Sequence, residues 1–294
     1  MEIGDWAATP NLCRIIGEIR RLGLERHVTE LEAFGFTILE PELVGPASFI
    51  DEMAEVTLRV ARERGTAPEI GQLNSAATGE FLRGLLWEDP IYERAILNPA
   101  ALALVTYLLG EGCILQSVVG QLKTHTTERS TVHTDNAMIP PPFPPYAQVA
   151  NATWVLSDYT KDNGCLMVIP GSHKSYRHPL PDEVQDESKM IPVEARRGSI
   201  IVWVGGLWHG AYPKRTLETL RLNVITFFAR MHLSPQEPLR YQVTPEALAR
   251  NPPRFAALLS QHLGYGWGKD EPVFTPEQKM YLDVQRATEA RLYG

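Results

Sequence analysis

Residues 190–210 read MIPVEARRGSIIVWVGGLWHG. Two short runs rich in β-branched and apolar residues flank Arg197–Gly198, and the pattern predicts a hairpin-like pair of strands across that turn. The second run, from Ser199 to Gly210, reads as one strand with His209 near its end. The same grammar recurs on both sides. CILQSVVGQLKTH (113–125), QVANATWVLSDYT (148–160), CLMVIPGSH (165–173) and RLNVITFFARMHL (221–233) are strand candidates punctuated by Gly, Pro and Asn. Short strands of this kind predict an antiparallel sandwich or barrel, so the chain reads as mainly β with flanking helices.

The flanks have a different period. NLCRIIGEIRRLGLERHVTELEAFG (11–35) carries apolar residues at helical spacing, with Gly35 as a stop. FTILEPELV (36–44) reads as a short strand and turn. PASFIDEMAEVTLRVARERG (46–65) opens on proline, carries acids early and Arg late, and closes on Gly65. NPAALALVTYLLGEG (98–112) places Asn98 as N-cap, Pro99 at the first helical position and Gly110 as stop. Helical pattern returns in 244–268 and 275–294. The reading is one domain over 1–294: a helical part over about 1–111, a β core over about 112–232 and a helical extension over 233–294.

Composition narrows the function. The 294 residues are 44% hydrophobic and carry a formal net charge of -7. Without a basic run, binding to nucleic acid is not expected. Three cysteines without a CxxC predict free thiols, and neither a signal peptide nor an apolar run of membrane-spanning length is visible. The expectation is a soluble, cytoplasmic protein.

The chemistry is concentrated in STVHTDN (130–136). On an extended segment His133 and Asp135 point to the same side. His209 is the candidate third ligand, and two His plus one carboxylate form the facial triad of non-haem Fe(II) oxygenases. Arg221 leads an otherwise apolar strand. It calls for an anion, because an unpaired buried charge is costly and its planar fork fits a carboxylate. The alternatives are a structural Asp or Glu partner, or a place at the strand's wet end. The proline-rich run NAMIPPPFPPYAQ (136–148) follows the triad pair, and its Ile139, Phe143 and Tyr146 are candidates for an apolar substrate wall. Trp208 adjoins His209 and is a further pocket candidate. His173 reads as a hydrogen-bonding loop residue and His125 as solvated.

Together HTD, DNGCLMVIPGSHKS, RRGSIIVW, LWHGAYPKRT and RLNVITFF are similar, in order, to the phytanoyl-CoA dioxygenase family of Fe(II)/2-oxoglutarate-dependent oxygenases. LEAFGFTIL near the start resembles the family's opening, and HLGYGWGKDEPVF (262–274) resembles its natural-product branch, which tailors meroterpenoids and alkaloids. The resemblance implies a double-stranded β-helix, the cupin-like jelly roll. It implies iron on His133, Asp135 and His209, and the distal carboxylate of 2-oxoglutarate on Arg221. O2 would be the oxidant, with release of succinate and CO2. Because Asp135 is present, halogenation is not implied. Ser130, Gln121 and Lys123 are further candidates for co-substrate contacts. Tyr212 and Lys214 depart from the family's usual HGAGPN, which puts the secondary co-substrate contacts in doubt.

The expected activity is oxidation of a hydrophobic small molecule, by hydroxylation or by desaturation or rearrangement, in secondary metabolism. A fatty-acyl-CoA 2-hydroxylase and a catalytically silent jelly-roll binding protein are the competing readings. The resemblance also implies a homodimer.

Overall fold

A computed structural model describes residues 10–74 and 76–261. HLGYGWGKDEPVF and the helix expected over 275–294 lie outside the described residues. Nine strands form among the described residues: β1 Phe36–Leu39, β2 Glu80–Leu82, β3 Ile114–Lys123, β4 Val149–Val155, β5 Leu166–Val168, β6 Ile191–Val193, β7 Ile200–Val204, β8 His209–Ala211 and β9 Arg221–Ala229. The larger sheet has the order β1-β7-β4-β9-β3-β2 and the smaller the order β6-β5-β8. Every pair is antiparallel. Beyond β8 the triad segment extends the small sheet: His133 and His209 exchange both backbone hydrogen bonds at 2.9 Å, and the Ser130 N–H donates to the Ala211 carbonyl at 3.0 Å.

From β3 onward the chain changes sheet at every step except β5 to β6, with β3-β9-β4-β7 facing the 130–135 segment, β8, β5 and β6. That is the jelly roll. The expected hairpin over 190–210 does not form. β6 pairs with β5 in the small sheet, whereas β7 pairs with β1 and β4 in the large one. The turn Arg196–Gly198, with Gly198 at φ 94°, carries the chain from one sheet to the other. The single strand expected over 199–210 is likewise divided. Gly205 and Gly206 let the chain cross back, so β7 and β8 lie in different sheets. A Cβ at Gly205 would sit 2.7 Å from the Val149 Cβ, so only glycine allows this crossing without displacing β4. Alternation of apolar residues cannot distinguish a hairpin from a sheet-switching corner, because both present the same period of two.

The helices close the outside. Among the described residues they are α1 Pro10–Arg21, α2 Glu25–Phe34, α3 Pro41–Val44, α4 Ala47–Glu63, α5 Pro90–Ile96, α6 Pro99–Leu109, α7 Pro181–Gln185, α8 Leu239–Gln242, α9 Pro245–Arg250 and α10 Pro253–Leu258. The long helix expected over 11–35 breaks at Gly23 (φ 67°) into α1 and α2, and α2 stops at left-handed Gly35. α6 is capped as its sequence predicts, with the Asn98 side chain accepting the Ala101 N–H at 3.1 Å. A mainly helical first hundred residues does not anticipate β2, a three-residue edge strand. α4 seats Phe49 on Trp154 of β4, with ring centroids 5.4 Å apart. Helical cover on its outer face explains why β3 and β4 are buried at every position. One hydrophobic cluster joins the helices, both sheets and the segment through Leu259. Among the described residues no helix is long and apolar enough to cross a membrane.

Candidate active site

Strand periodicity sorts the interior. Arg221 lies opposite Lys123, Asn223 opposite Gln121 and Val155, and Ile225 opposite Val119 and Thr153. Cross-strand partners share a face, so these side chains line the inside of the large sheet, together with Asn151 and its partner Trp203. Across the barrel, the small sheet brings His133 and His209 side by side, with ring centroids 4.4 Å apart.

Asp135 completes the cluster. Its Oδ1 lies 3.8 Å from His133 Nε2 and its Oδ2 lies 3.4 Å from His209 Nε2. One ligand atom from each of the three falls within 4.8 Å of the others. The tautomers follow from local bonds. His133 Nδ1 is 2.9 Å from the Thr131 carbonyl and His209 Nδ1 is 2.9 Å from the Leu207 carbonyl. A carbonyl only accepts, so each Nδ1 carries the proton and each Nε2 presents a lone pair. Burial holds His209 below the ordinary imidazole range, against the pull of Asp135, which keeps the ring neutral and ready to ligate. Asp135 Oδ2 accepts hydrogen bonds from Asn151 Nδ2 and from Trp203 Nε1, the latter at 3.2 Å. Those two donors orient the carboxylate. The set is two imidazoles and one carboxylate with His133 half exposed, which suits Fe(II) with open coordination positions.

The second feature is cationic. Arg221 is fully buried. Its Nη1 donates to the Gly164 carbonyl at 2.8 Å, and its guanidinium lies 5.4 Å from the Tyr159 ring centroid. Its Nε and Nη2 have no hydrogen-bond partner, and among the described residues no carboxylate lies within ion-pair distance. A structural Asp or Glu partner and a wet strand end are therefore both set aside. On the same lining, Asn151 Oδ1, Thr153 Oγ1 and both amide atoms of Asn223 are also unpartnered. Each such buried group costs about 1–3 kcal/mol, so the cluster marks a site for a polar ligand. The residues fit 2-oxoglutarate: a metal site at one side for its keto acid and a buried fork for its far carboxylate.

The remaining sequence candidates divide. Lys123 faces the interior beside Arg221, and its Nζ donates to the Tyr212 carbonyl at 2.8 Å. Gln121 is turned to the Thr78 carbonyl, which its Nε2 reaches at 2.8 Å. Ser130 uses its Oγ to accept the Ala211 N–H at 2.7 Å, which fixes the register of the triad segment. Phe143 and Tyr146 line a cavity of about 130 Å³ with Leu31, Leu108, Asn136 and Gly206. Its walls do not include the triad side chains, although Asn136 and Gly206 directly follow Asp135 and its backbone partner Gly205. Ile139 is half-buried outside that wall. Trp208 is turned away from the metal ligands. Immediately before β8, as His209's neighbour on the extended chain, it takes the opposite face, packing on Val132, Met167 and Met190 with its Nε1 on the Arg177 carbonyl.

His173 is partly buried; its Nδ1 is unpartnered, while its hydrogen bond to the Glu32 backbone fits the hydrogen-bonding loop residue expected. His125 is half-buried against the Lys214 carbonyl and is not fully solvated. Asn151, Thr153, Trp203 and Asn223 were not anticipated as interior polar contacts. Their signal is a polar or indole side chain recurring every second residue in an otherwise apolar strand.

The family model for phytanoyl-CoA dioxygenase (PhyH) matches residues 31–221, a span that carries the triad and ends on Arg221. The chain belongs to this family of dioxygenases. Dioxygenase af480 of Aspergillus fumigatus is 28% identical over 181 residues, covering 60% of this chain and 57% of that protein. Protein Rv1501 of Mycobacterium tuberculosis, which carries no assigned function, is 26% identical over 82% of this chain and 92% of its own length. Among solved structures, HygX of Streptomyces hygroscopicus with nickel and 2-oxoglutarate bound superposes with a TM-score of 0.58. It is 17% identical and covers 71% of this chain and 88% of that one, a likeness of fold.

Burial sets a pH dependence for the ligand-free protein. Desolvation, and then the Arg221 charge, push Lys123 down to about 6 from an ordinary 10.5. Above about pH 6 the unfolded chain holds a proton that the folded chain has lost, so stability rises with pH. Between about pH 6 and 8 the Lys123→Met variant should lose up to about 1 kcal/mol per pH unit of that rise, read from denaturant midpoints across the range. Parallel curves for the two proteins would contradict a neutral buried amine.

Proposed function

We propose that this dioxygenase oxidises a hydrophobic natural-product-like small molecule, with iron on His133, Asp135 and His209 and the distal carboxylate of 2-oxoglutarate on Arg221. The observation that carries the reading is the sealed guanidinium of Arg221, with Nε and Nη2 free, in the same barrel as the triad. Bound iron supplies the coupling of O2 reduction to the breakdown of 2-oxoglutarate into succinate and CO2. The chain's own residues do the rest. Asn151 and Trp203 hold Asp135 in place, the two backbone carbonyls keep Nε2 of each His free, and the apolar walls Val119, Ile201, Ile225 and Phe227 exclude water from the co-substrate.

The cavity beside Phe143 and Tyr146 supports the choice of substrate. It opens where the chain leaves Asp135, and its walls combine these rings with Leu31, Leu108 and Val204. HygX has also been solved with hygromycin B bound. An acyl-CoA would need several cations for its phosphates, and Lys174 is the single basic side chain of Lys or Arg type in this wall. That observation favours a free small molecule over an acyl-CoA.

Two variants test the proposal. Arg221→Met should raise the KM for 2-oxoglutarate on the order of 100-fold or more in succinate release, since charge-assisted hydrogen bonds are worth about 1.5–3 kcal/mol each. An unchanged KM in a folded variant would remove Arg221 from the site. Phe143→Ala should change substrate affinity or product pattern while leaving the KM for 2-oxoglutarate alone. If both properties of the substrate reaction stayed the same, the cavity would not be the substrate site.

A further inference from the structure

Arg221 is not the only cation sealed into this end of the barrel. Lys123 and Lys214 are also fully buried, and among the described residues neither lies within ion-pair distance of a carboxylate. The two lysines differ in what holds them. Lys214 Nζ is enclosed by the Thr216 carbonyl and the hydroxyls of Thr216 and Thr219, which occupy its donors. Among the described residues Lys123 Nζ has one acceptor, the Tyr212 carbonyl at 2.8 Å. Lys123 also stands directly opposite Arg221 across β3 and β9, with both side chains on the interior face.

We propose that Lys123 is the second cation of the co-substrate carboxylate site, and that binding of 2-oxoglutarate brings a proton into the barrel on its amine. The inference rests on the reading of Arg221 as the carboxylate-binding residue. An ammonium has three donors and no acceptors, so in the ligand-free barrel two of them would lack partners beside a like charge. The neutral amine, by contrast, loses little there. A carboxylate bridging Arg221 and Lys123 reverses the balance: it offers the missing acceptors and neutralises the repulsion. The site then takes up a proton from solvent as it takes up the anion, and the complex gains a charge-assisted hydrogen bond.

The groups around the amine agree in direction. Arg221 on β9 and Lys214 beyond β8 both oppose its charge, while the Cys165 thiol at the start of β5 would favour it only as thiolate. Burial pushes that thiol up to about 12, so it stays neutral. Tyr212 contributes its carbonyl, and burial raises its phenol further above its ordinary value. Tyr159, against Arg221, is likewise raised by burial. β2 places Glu80 beside Leu122, on the other face of the sheet. Desolvation is the largest influence on Lys123 and sets it at about 6, so the amine is mostly unprotonated at neutral pH before the anion arrives.

Isothermal titration of the Ni(II)-loaded protein with 2-oxoglutarate, in buffers of different ionisation enthalpy at about pH 7.5, counts the protons taken up. Preloading the metal keeps the histidine ligands out of the count. The wild type should take up close to one proton per co-substrate. Lys123→Arg, charged throughout, should bind within several-fold of wild type and take up none. Lys123→Met should bind about ten- to hundredfold more weakly, also without uptake. Equal proton uptake in wild type and Lys123→Arg, or no uptake in wild type, would overturn the role of Lys123 while leaving Arg221 in place. Failure of the metal-loaded wild type to bind 2-oxoglutarate at all would instead overturn the underlying reading. If Lys123→Met does not fold, the wild-type and Lys123→Arg counts still decide.

Discussion

Arg221 brings a fixed positive charge into the barrel and leaves two of its nitrogens, Nε and Nη2, without a hydrogen-bond partner among the described residues. A charge desolvated this completely costs several kcal/mol unless something answers it. The Gly164 carbonyl and the Tyr159 ring answer it in part. The same lining carries the unpartnered amide of Asn223 two residues along β9, the Thr153 hydroxyl on the adjacent strand and the lone-acceptor amine of Lys123. Burying so much polarity lowers the stability of the ligand-free chain. On the proposed reading, the same groups are already placed for a dicarboxylate, so that binding needs little rearrangement.

The position of the triad depends on the same architecture. β9 delivers Arg221 on the large sheet, and the small sheet delivers His133, Asp135 and His209 from opposite it. The strand exchanges at Arg196–Gly198 and Gly205–Gly206 make that opposition possible. Ser130 and the paired backbone bonds of His133 and His209 then fix the register, so that the three ligands meet. A one-residue slip would turn His133 and Asp135 to the outer face, where Val132 now packs.

Much of this was legible in the residues. HxD on an extended segment and a distant His after an apolar strand named the triad, because period-two alternation carries directly into ligand geometry. The caps of α6 and the stop at Gly35 were legible for a local reason, since both depend on neighbouring backbone groups alone. The false hairpin had the opposite cause. Which sheet a strand joins is a long-range property, and the runs around Arg197 and Gly205 look the same whether they pair with each other or with distant partners. Trp208 shows a related limit: adjacency to His209 suggested a shared pocket, but neighbours on a strand face opposite ways. Lys123 stood out as a candidate co-substrate contact and Lys214 as a departure from the family pattern, but neither reading included their burial. Their burial beside Arg221 depends on three separate segments coming together.

The most direct test is an anaerobic titration of the metal-free protein with Fe(II) and then 2-oxoglutarate, followed by visible absorption. The account predicts the charge-transfer band of the chelate in the wild type and its loss in His133→Ala. A folded wild type that binds neither Fe(II) nor 2-oxoglutarate, and shows no band, would contradict it.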